Sequence, residues 1–274
     1  MVPALMLAIV AIAVFCWITG QRALHPFELE WMEGGSLQHL ARVAAGQALY
    51  AAPSIEFVPY PYPPFYYYAA LPFAAFTGVD FLALRAVSLI STLATCATLY
   101  AWVRRETMRS EIAIVCVGLF LATYRISGAY MDVGRIDSLF VALVMIGGYL
   151  LRVREDTLGL VFAAIFVFLA TLTKQTGLAV FAPLVVWSVY RDWAGARDWA
   201  GAPSDGARFR RSVVFAGTSA VLVVLGTLLL TRGANTHFIY YVLGAQTGHE
   251  IRWSLLPYFF WHDLFLAVPL AVVA

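Results

Sequence analysis

Apolar stretches of membrane length, separated by short segments that hold almost every charge, recur along the whole of this 274-residue chain. A helix rises about 1.5 Å per residue, so about 20 apolar residues cross a hydrocarbon core of about 30 Å. Residues 2–19, 81–103, 112–130, 138–151, 158–173, 177–190, 212–231 and 255–274 form such stretches, the shorter ones requiring helices that run past these limits. Inside lipid every backbone N–H and C=O has to be satisfied within the segment, which leaves a helix as the form for each run. The chain is therefore predicted to be an all-α polytopic membrane protein of about eight spans. Its 62% hydrophobic and 12% charged residues, against about a quarter charged in soluble domains, require the same class.

The first stretch lacks a basic n-region and exceeds the usual 7 to 15 apolar residues of a signal peptide, so it reads as a retained helix. A net charge of +2, with arginines dispersed among loops and Lys174 as the only lysine, gives no basic patch for nucleic acid. Cys16, Cys96 and Cys116 each fall in an apolar stretch without metal-ligand spacing and read as small buried side chains. No G-x-x-x-x-G-K-[ST] loop is present, so nucleotide-driven transport has no support. A tandem R-D-W-A-G-A at residues 191–196 and 197–202 sits in a loop that tolerates duplication and is assigned no role.

Residues 65–78 are apolar but short, contain Pro72 and follow Y-P-Y-P-P. Counting them as a crossing inverts everything downstream, and positive charge in short loops decides the matter. Without a crossing there, residues 104–111, 152–156 and 191–211 share one side and hold 10 of the 18 basic residues. That side is read as cytoplasmic, with the N-terminus. Residues 65–78 become an interfacial helix with Tyr66, Tyr67 and Tyr68 in an aromatic belt. Residues 34–48 read as an amphipathic helix on the membrane, with Leu37, Leu40, Val43 and Ala44 on its apolar side and Gln38, His39 and Arg42 elsewhere.

The outer side then receives two clusters of charge: Glu28, Glu30 and Glu33 after the first span, and D-V-G-R-I-D at residues 132–137. Ionisable groups at the edge of lipid are costly and mark functional sites. A partly desolvated carboxylate, Glu33 or Glu30, is suited to take a proton from a hydroxyl. Arg135 and Lys174 are suited to meet an anion. Asp132 and Asp137, five positions apart around Gly134, are candidates to hold a divalent metal or orient a ligand once the chain turns. Structural roles stand beside each of these. The glutamates and aspartates can serve helix ends, Arg135 can pair with Asp132 or Asp137, and Lys174 can snorkel. His249 in the last loop is a further candidate for anion contact.

The order E-L-E-W-M-E-G-G, A-R-V-A-A-G-Q-A-L-Y, Y-P-Y-P-P-F-Y, Arg85 opening the next span, D-V-G-R-I-D-S-L and L-T-K-Q-T resembles bacterial GT-C membrane glycosyltransferases. It is most similar to their family 39, the relatives of protein O-mannosyltransferases and lipid A aminoarabinose transferases. The resemblance spans residues 28–178 and implies a GT-C-type helix bundle, one module whose external loop, residues 20–80, carries juxtamembrane helices. It implies sugar transfer from a polyprenyl-phosphate donor to a lipid, glycan or protein acceptor at the outer face of a bacterial plasma membrane. By position it places the general base on Glu33 or Glu30. Many relatives have Asp-Glu where this chain has Met32-Glu33, so the assignment stays between the two. Asp132 and Asp137 join them as candidate catalytic acids. Arg135, Lys174, Gln175, Arg85, Tyr62 and His249 are the candidate substrate contacts. The chain stops in mid-pattern at L-A-V-P-L-A-V-V-A, and further spans are expected beyond it. The competing class is a secondary transporter or a non-catalytic membrane protein. A transporter would carry paired charges near the midplane on broken helices, whereas the charges here lie at span ends.

Overall fold

The computed structural model describes residues 1–197, 209–233, 235–245 and 252–265, and these are mostly helical with no strand among them. Among the described residues nine helices carry the architecture: α1 (Val2–Arg22), α2 (Glu33–Ala44), α3 (Phe65–Thr77), α4 (Phe81–Thr107), α5 (Ser110–Ala122), α6 (Ile136–Val153), α7 (Thr157–Thr173), α8 (Gly177–Arg197) and α9 (Arg210–Leu230). A short wide turn follows at Tyr240–Gly244, and a last helical turn begins at Leu255. The chain is an all-α membrane protein: α1, α4, α6 and α9 are long and apolar enough to cross a membrane. Large apolar side chains such as Leu7, Trp17, Leu119, Phe162 and Val221 stand exposed around the bundle. Lipid is the solvent that makes such a surface stable.

Chain order and packing fix the bundle. Helix α1 lies on α5, α5 on α4, α4 on α6, α6 on α7, and α7 on α9 and α8, while α2 and α3 cap one end of α4. Small residues make the crossings close, as expected where no hydrophobic force separates helix from lipid. A Cβ on Gly118 of α5 would stand 2.4 Å from the Ala8 Cβ of α1. A Cβ on Gly147 of α6 would meet Val167 of α7 at 2.9 Å.

Among the described residues, ion pairs gather at two rims. At one, Arg152 pairs with Glu106 (3.0 Å), and Arg211 with Glu155 (3.3 Å) and Asp192 (3.7 Å). At the other lie the end of α1, the starts of α4 and α6 and the end of α7. The arginine-rich segments and the acidic clusters thus occupy opposite ends of the bundle.

The structure differs from the sequence expectations in four places. The stretch 112–130 is not one helix: α5 stops at Ala122, and residues 123–135 run as turns packed on α4. The buried stripe of α4 makes this tolerable, because it is rich in hydroxyls: Thr92 donates to Met131 O (2.7 Å) and Ser88 to Arg135 O (3.2 Å). Tyr66 and Tyr67 face the core, Tyr66 donating to Leu84 O (2.9 Å), so Tyr68 is the exposed member of the three. His39 is buried on the packed side of α2. Cys16 is exposed on the outside of α1 rather than buried.

The α1–α5 crossing gives the first test. A leucine at Gly118 has no room beside Ala8 and forces the helices apart, and overpacking of this kind costs about 1–3 kcal/mol. Gly118→Leu therefore lowers the unfolding temperature in detergent, while Gly217→Leu, whose Cβ meets nothing within 4 Å, leaves it nearly unchanged. Equal stability of the two variants would show that the close crossing is not made.

Candidate functional site

The segment from Asp132 to Asp137 runs across the charged rim and sends successive groups to different elements. Tyr124 donates to Asp132 Oδ1 (2.9 Å), and Arg22 Nε stands 2.9 Å from Oδ2 as a close ion pair at the end of α1. The amide of Gly134 donates to Glu33 Oε1 (2.6 Å). Arg135 donates through Nε to Asp137 (3.0 Å) and through Nη1 to Glu30 (2.8 Å). Asp137 also accepts from Lys174 Nζ (2.8 Å). Space is tight at position 134, where a Cβ would stand 3.0 Å from Leu84 Cβ and 3.3 Å from the Glu33 carboxylate.

Glu33 and Arg85 form the buried centre of this rim, both fully enclosed. Arg85 donates through Nε to Glu33 Oε1 (3.0 Å) and through Nη2 to Oε2 (2.7 Å). Its remaining donors reach the carbonyls of Arg22, His25 and Phe27. All five guanidinium N–H groups are thereby used. The amides of Leu29 (2.7 Å) and Gly134 complete the Glu33 shell, so four lone-pair directions have four donors. Burial pushes the Glu33 carboxyl up, but Arg85 and the two amides outweigh it and hold the group below its ordinary value of 4.5.

A second group lies nearer the surface. Glu30, Arg135, Asp137 and Lys174 form one alternating chain of charge, with side chains 13%, 12%, 23% and 29% exposed. Arg135 spends two of its five donors on carboxylates and Lys174 one of three, which leaves donors for a ligand. Tyr130 carries the Arg135 guanidinium over its ring at 4.0 Å. Gln175 donates to Pro61 O (3.0 Å), tying the end of α7 to the Y-P-Y-P-P run. Beside it, Tyr62 lies half-buried with its ring edge on Tyr60 at 6.3 Å. The Tyr60 hydroxyl lies against Gly35, with its phenol pushed up first by burial and then by Glu30 and Glu28.

His39 anchors the Tyr60 segment from below. Its Nε2 accepts from the Tyr60 amide (2.8 Å), which leaves Nδ1 to donate to Gly35 O (2.6 Å) and makes the ring neutral. Burial lowers its pKa to about 4.

The predicted site residues therefore divide. Glu30, Arg135, Asp137 and Lys174 come together, with Gln175 and Tyr62 alongside; Glu33 and Arg85 lie beneath them as an enclosed pair. Asp132 and Asp137 do not meet: one faces Arg22 and Tyr124, the other two cations. A divalent metal between them does not fit this arrangement, and among the described residues no three His, Cys, Asp or Glu side chains are placed to hold one. His249 lies outside the described residues. Arg22, Tyr124 and Tyr130 were not singled out in the sequence, and His39 was read there only as part of the polar side of its helix. For Arg22 the signal was there: an arginine closing the first apolar stretch, on the side poor in positive charge.

Removing one partner of an enclosed ion pair leaves the other charge buried and costs about 3–5 kcal/mol. Glu33→Gln should destabilise the protein by about that amount in detergent unfolding. In the unmodified protein the contribution of Glu33 is complete at neutral pH. It is lost as pH falls below 4.5 and through its lower folded value, because the unfolded state takes up the proton first. A Glu33→Gln variant as stable as the unmodified protein would remove Glu33 from the centre of the rim.

No curated protein and no solved structure gives a significant match to this sequence. A family model does, over residues 60–272, and it covers Arg85, the D-V-G-R-I-D segment and Lys174 while leaving out Glu28, Glu30 and Glu33. The resemblance to a membrane glycosyltransferase is thus met by a family other than 39. With more than three-quarters of its length inside that match, the chain belongs to glycosyltransferase family 87.

Proposed function

We propose that this membrane glycosyltransferase is a single GT-C-type module, with α2 and α3 as its juxtamembrane helices, that transfers a sugar from a polyprenyl phosphate to an acceptor hydroxyl at the outer face of a bacterial plasma membrane. The observation that carries the reading is the half-open row Glu30–Arg135–Asp137–Lys174, an acid next to two cations with donors to spare. Membership of a glycosyltransferase family supports the reaction class.

The chemistry divides among these groups. As the acceptor oxygen attacks the anomeric carbon, its proton passes to Glu30, which pairs with Arg135 and, unlike Glu33, is reachable from outside the fold. The bond between the anomeric carbon and the phosphate oxygen breaks, and its electron pair leaves with the prenyl phosphate. Arg135 and Lys174 take up that charge through their remaining N–H groups. Asp137 holds both cations in place. Glu33, Arg85 and Asp132 are positioning residues: they fix the loop before α2 and the segment that carries Arg135.

Two experiments test this. In proteoliposomes supplied with a labelled prenyl-phosphate sugar, Glu30→Gln should lower kcat by about 10² to 10⁴ with little change in unfolding temperature. Lys174→Met should weaken donor binding, and Lys174→Arg should restore part of it. Unimpaired turnover in Glu30→Gln would remove the base from this position.

Sidedness is the second test. The arginine-rich rim is placed in the cytoplasm together with the N-terminus, following the bias of basic residues in short loops. In a background without Cys16, Cys96 and Cys116, a cysteine at exposed Ile55 should react with an impermeant maleimide on intact cells, and one at exposed Arg109 only after lysis. The reverse pattern would put the charged site on the wrong side for an external acceptor.

A further inference from the structure

At the rim opposite the charged site, an open groove of about 330 Å³ is lined by Tyr100, Ala101, Arg104, Arg105 and Met108, at the end of α4. Arg104 and Arg105 are exposed, and Tyr100 stands half-buried one turn before Arg104. The neighbouring acids are engaged elsewhere: Glu106 pairs with Arg152, Asp156 with Arg154, and Glu155 and Asp192 with Arg211. Glu111, exposed in the first turn of α5, is the remaining acid of this loop. Among the described residues neither Arg104 nor Arg105 has an ion pair or a side-chain hydrogen bond, so their guanidinium donors are free to meet an anion.

Depth decides what kind of anion can arrive. Arg104 lies nineteen positions beyond Arg85 on the same helix, about 28 Å at about 1.5 Å per residue, close to the hydrocarbon thickness of about 30 Å. Since Arg85 belongs to one polar rim, Arg104 and Arg105 stand at headgroup level on the other. The aromatic pair of Trp102 and Tyr149, with ring centroids 5.8 Å apart, suits the same level. The lipid-facing stripe of α4 also leads to the groove. Ile90 and Leu93 are exposed on it, and Ala97, Ala101 and Arg104 follow at helical spacing. An acyl chain lying on Leu93 and the two small alanines would bring its phosphate end to Arg104.

We propose that this groove binds the phosphate of an anionic phospholipid in the leaflet opposite the charged site. A planar guanidinium suits a phosphate, with two parallel N–H groups for its oxygens. Adjacent residues of a helix point about 100° apart, so Arg104 and Arg105 meet one headgroup from two sides. The Tyr100 hydroxyl adds a donor on the membrane side, and exposed Met108, in the left-handed conformation that ends α4, borders the groove towards water. A free phosphate would find the same donors, but only a lipid also uses the apolar stripe beneath them. A lipid held here fixes the depth of α4, the helix that carries Arg85 to the other rim. Such a site owes nothing to the reaction proposed above and is kept if that reading fails.

Native mass spectrometry of the purified protein reads retained lipid directly. Offered equal amounts of phosphatidylglycerol and phosphatidylcholine with the same acyl chains, the unmodified protein should retain the anionic lipid in roughly tenfold or greater preference, as two arginines at a membrane surface would give. The double variant Arg104→Gln with Arg105→Gln should lose that preference. It should unfold at an unchanged temperature in detergent, because neither side chain has a partner to lose. Arg109→Gln removes an exposed arginine of the same loop outside the groove and should keep the preference. Ala101→Trp fills the groove while leaving both charges, and it should lose the lipid as well. A preference that survives the double variant, or that falls equally in Arg109→Gln, would mean diffuse surface charge and overturn the site. Full retention in Ala101→Trp would refute the groove as the place of binding. Displacement of the lipid by millimolar inorganic phosphate would make a soluble anion the ligand and refute the lipid assignment.

Discussion

The charged end of this protein depends on one enclosed ion pair. Arg85 and Glu33 are out of contact with solvent, yet no donor of the guanidinium and no lone-pair direction of the carboxylate lacks a partner. Burying two charges is expensive, and mutual attraction alone does not repay it. What repays it here is the backbone. Carbonyls at 25 and 27, and amides at 29 and 134, would otherwise end in irregular chain at the edge of lipid, where an unsatisfied group costs several kcal/mol. The pair acts as the satisfying core of a segment that has no regular structure of its own.

That arrangement explains why the D-V-G-R-I-D segment is built as it is. Its groups leave it in different directions: Asp132 to α1, the Gly134 amide to Glu33, and Arg135 to Glu30. A helix through these positions would rotate the groups by about 100° per residue and lock the amides into its own ladder. Ending α5 at Ala122 and starting α6 at Ile136 frees both side chains and amides, and the hydroxyl stripe on α4 takes up the carbonyls. Irregular backbone at this depth is therefore a structural consequence of gathering the charges at one place.

Much of this was legible in the sequence because lipid makes strong demands. The starts of α4 and α7 follow from Asp80 and Asp156, whose carboxylates accept from the first-turn amides of Phe81 and Gly159. The isolated charges at 30, 33, 85, 135, 137 and 174 stood out because so few others lie nearby. What composition concealed was direction. Residues 123–130 are apolar enough to extend a helix, and only the partners of Asp132 and Gly134 show why they do not. Three consecutive tyrosines suited an interface, but two are claimed by the core because α3 packs its length on α4. His39 read as polar surface, since nothing local announces that the Tyr60 amide needs an acceptor.

The same logic separates positioning from chemistry within the acidic clusters. A base has to give up the partners of at least one lone pair when it takes a proton, so its usefulness falls as its shell fills. Glu33 has no unfilled direction, and protonating it would strand Arg85 among three carbonyls with an uncompensated charge. Glu30 accepts from Arg135 and the Met32 amide at the surface of the fold, and water or a substrate hydroxyl can reach it. Glu28, exposed and lying against Gly34, adds negative potential on the same side. The cations remain balanced by Asp137 until an anion arrives with charge of its own. A site of this kind is nearly neutral at rest, which lowers the cost of keeping four ionised groups beside lipid. In the proposed reaction it becomes selective when a phosphate shares Arg135 and Lys174 with the carboxylates that hold them.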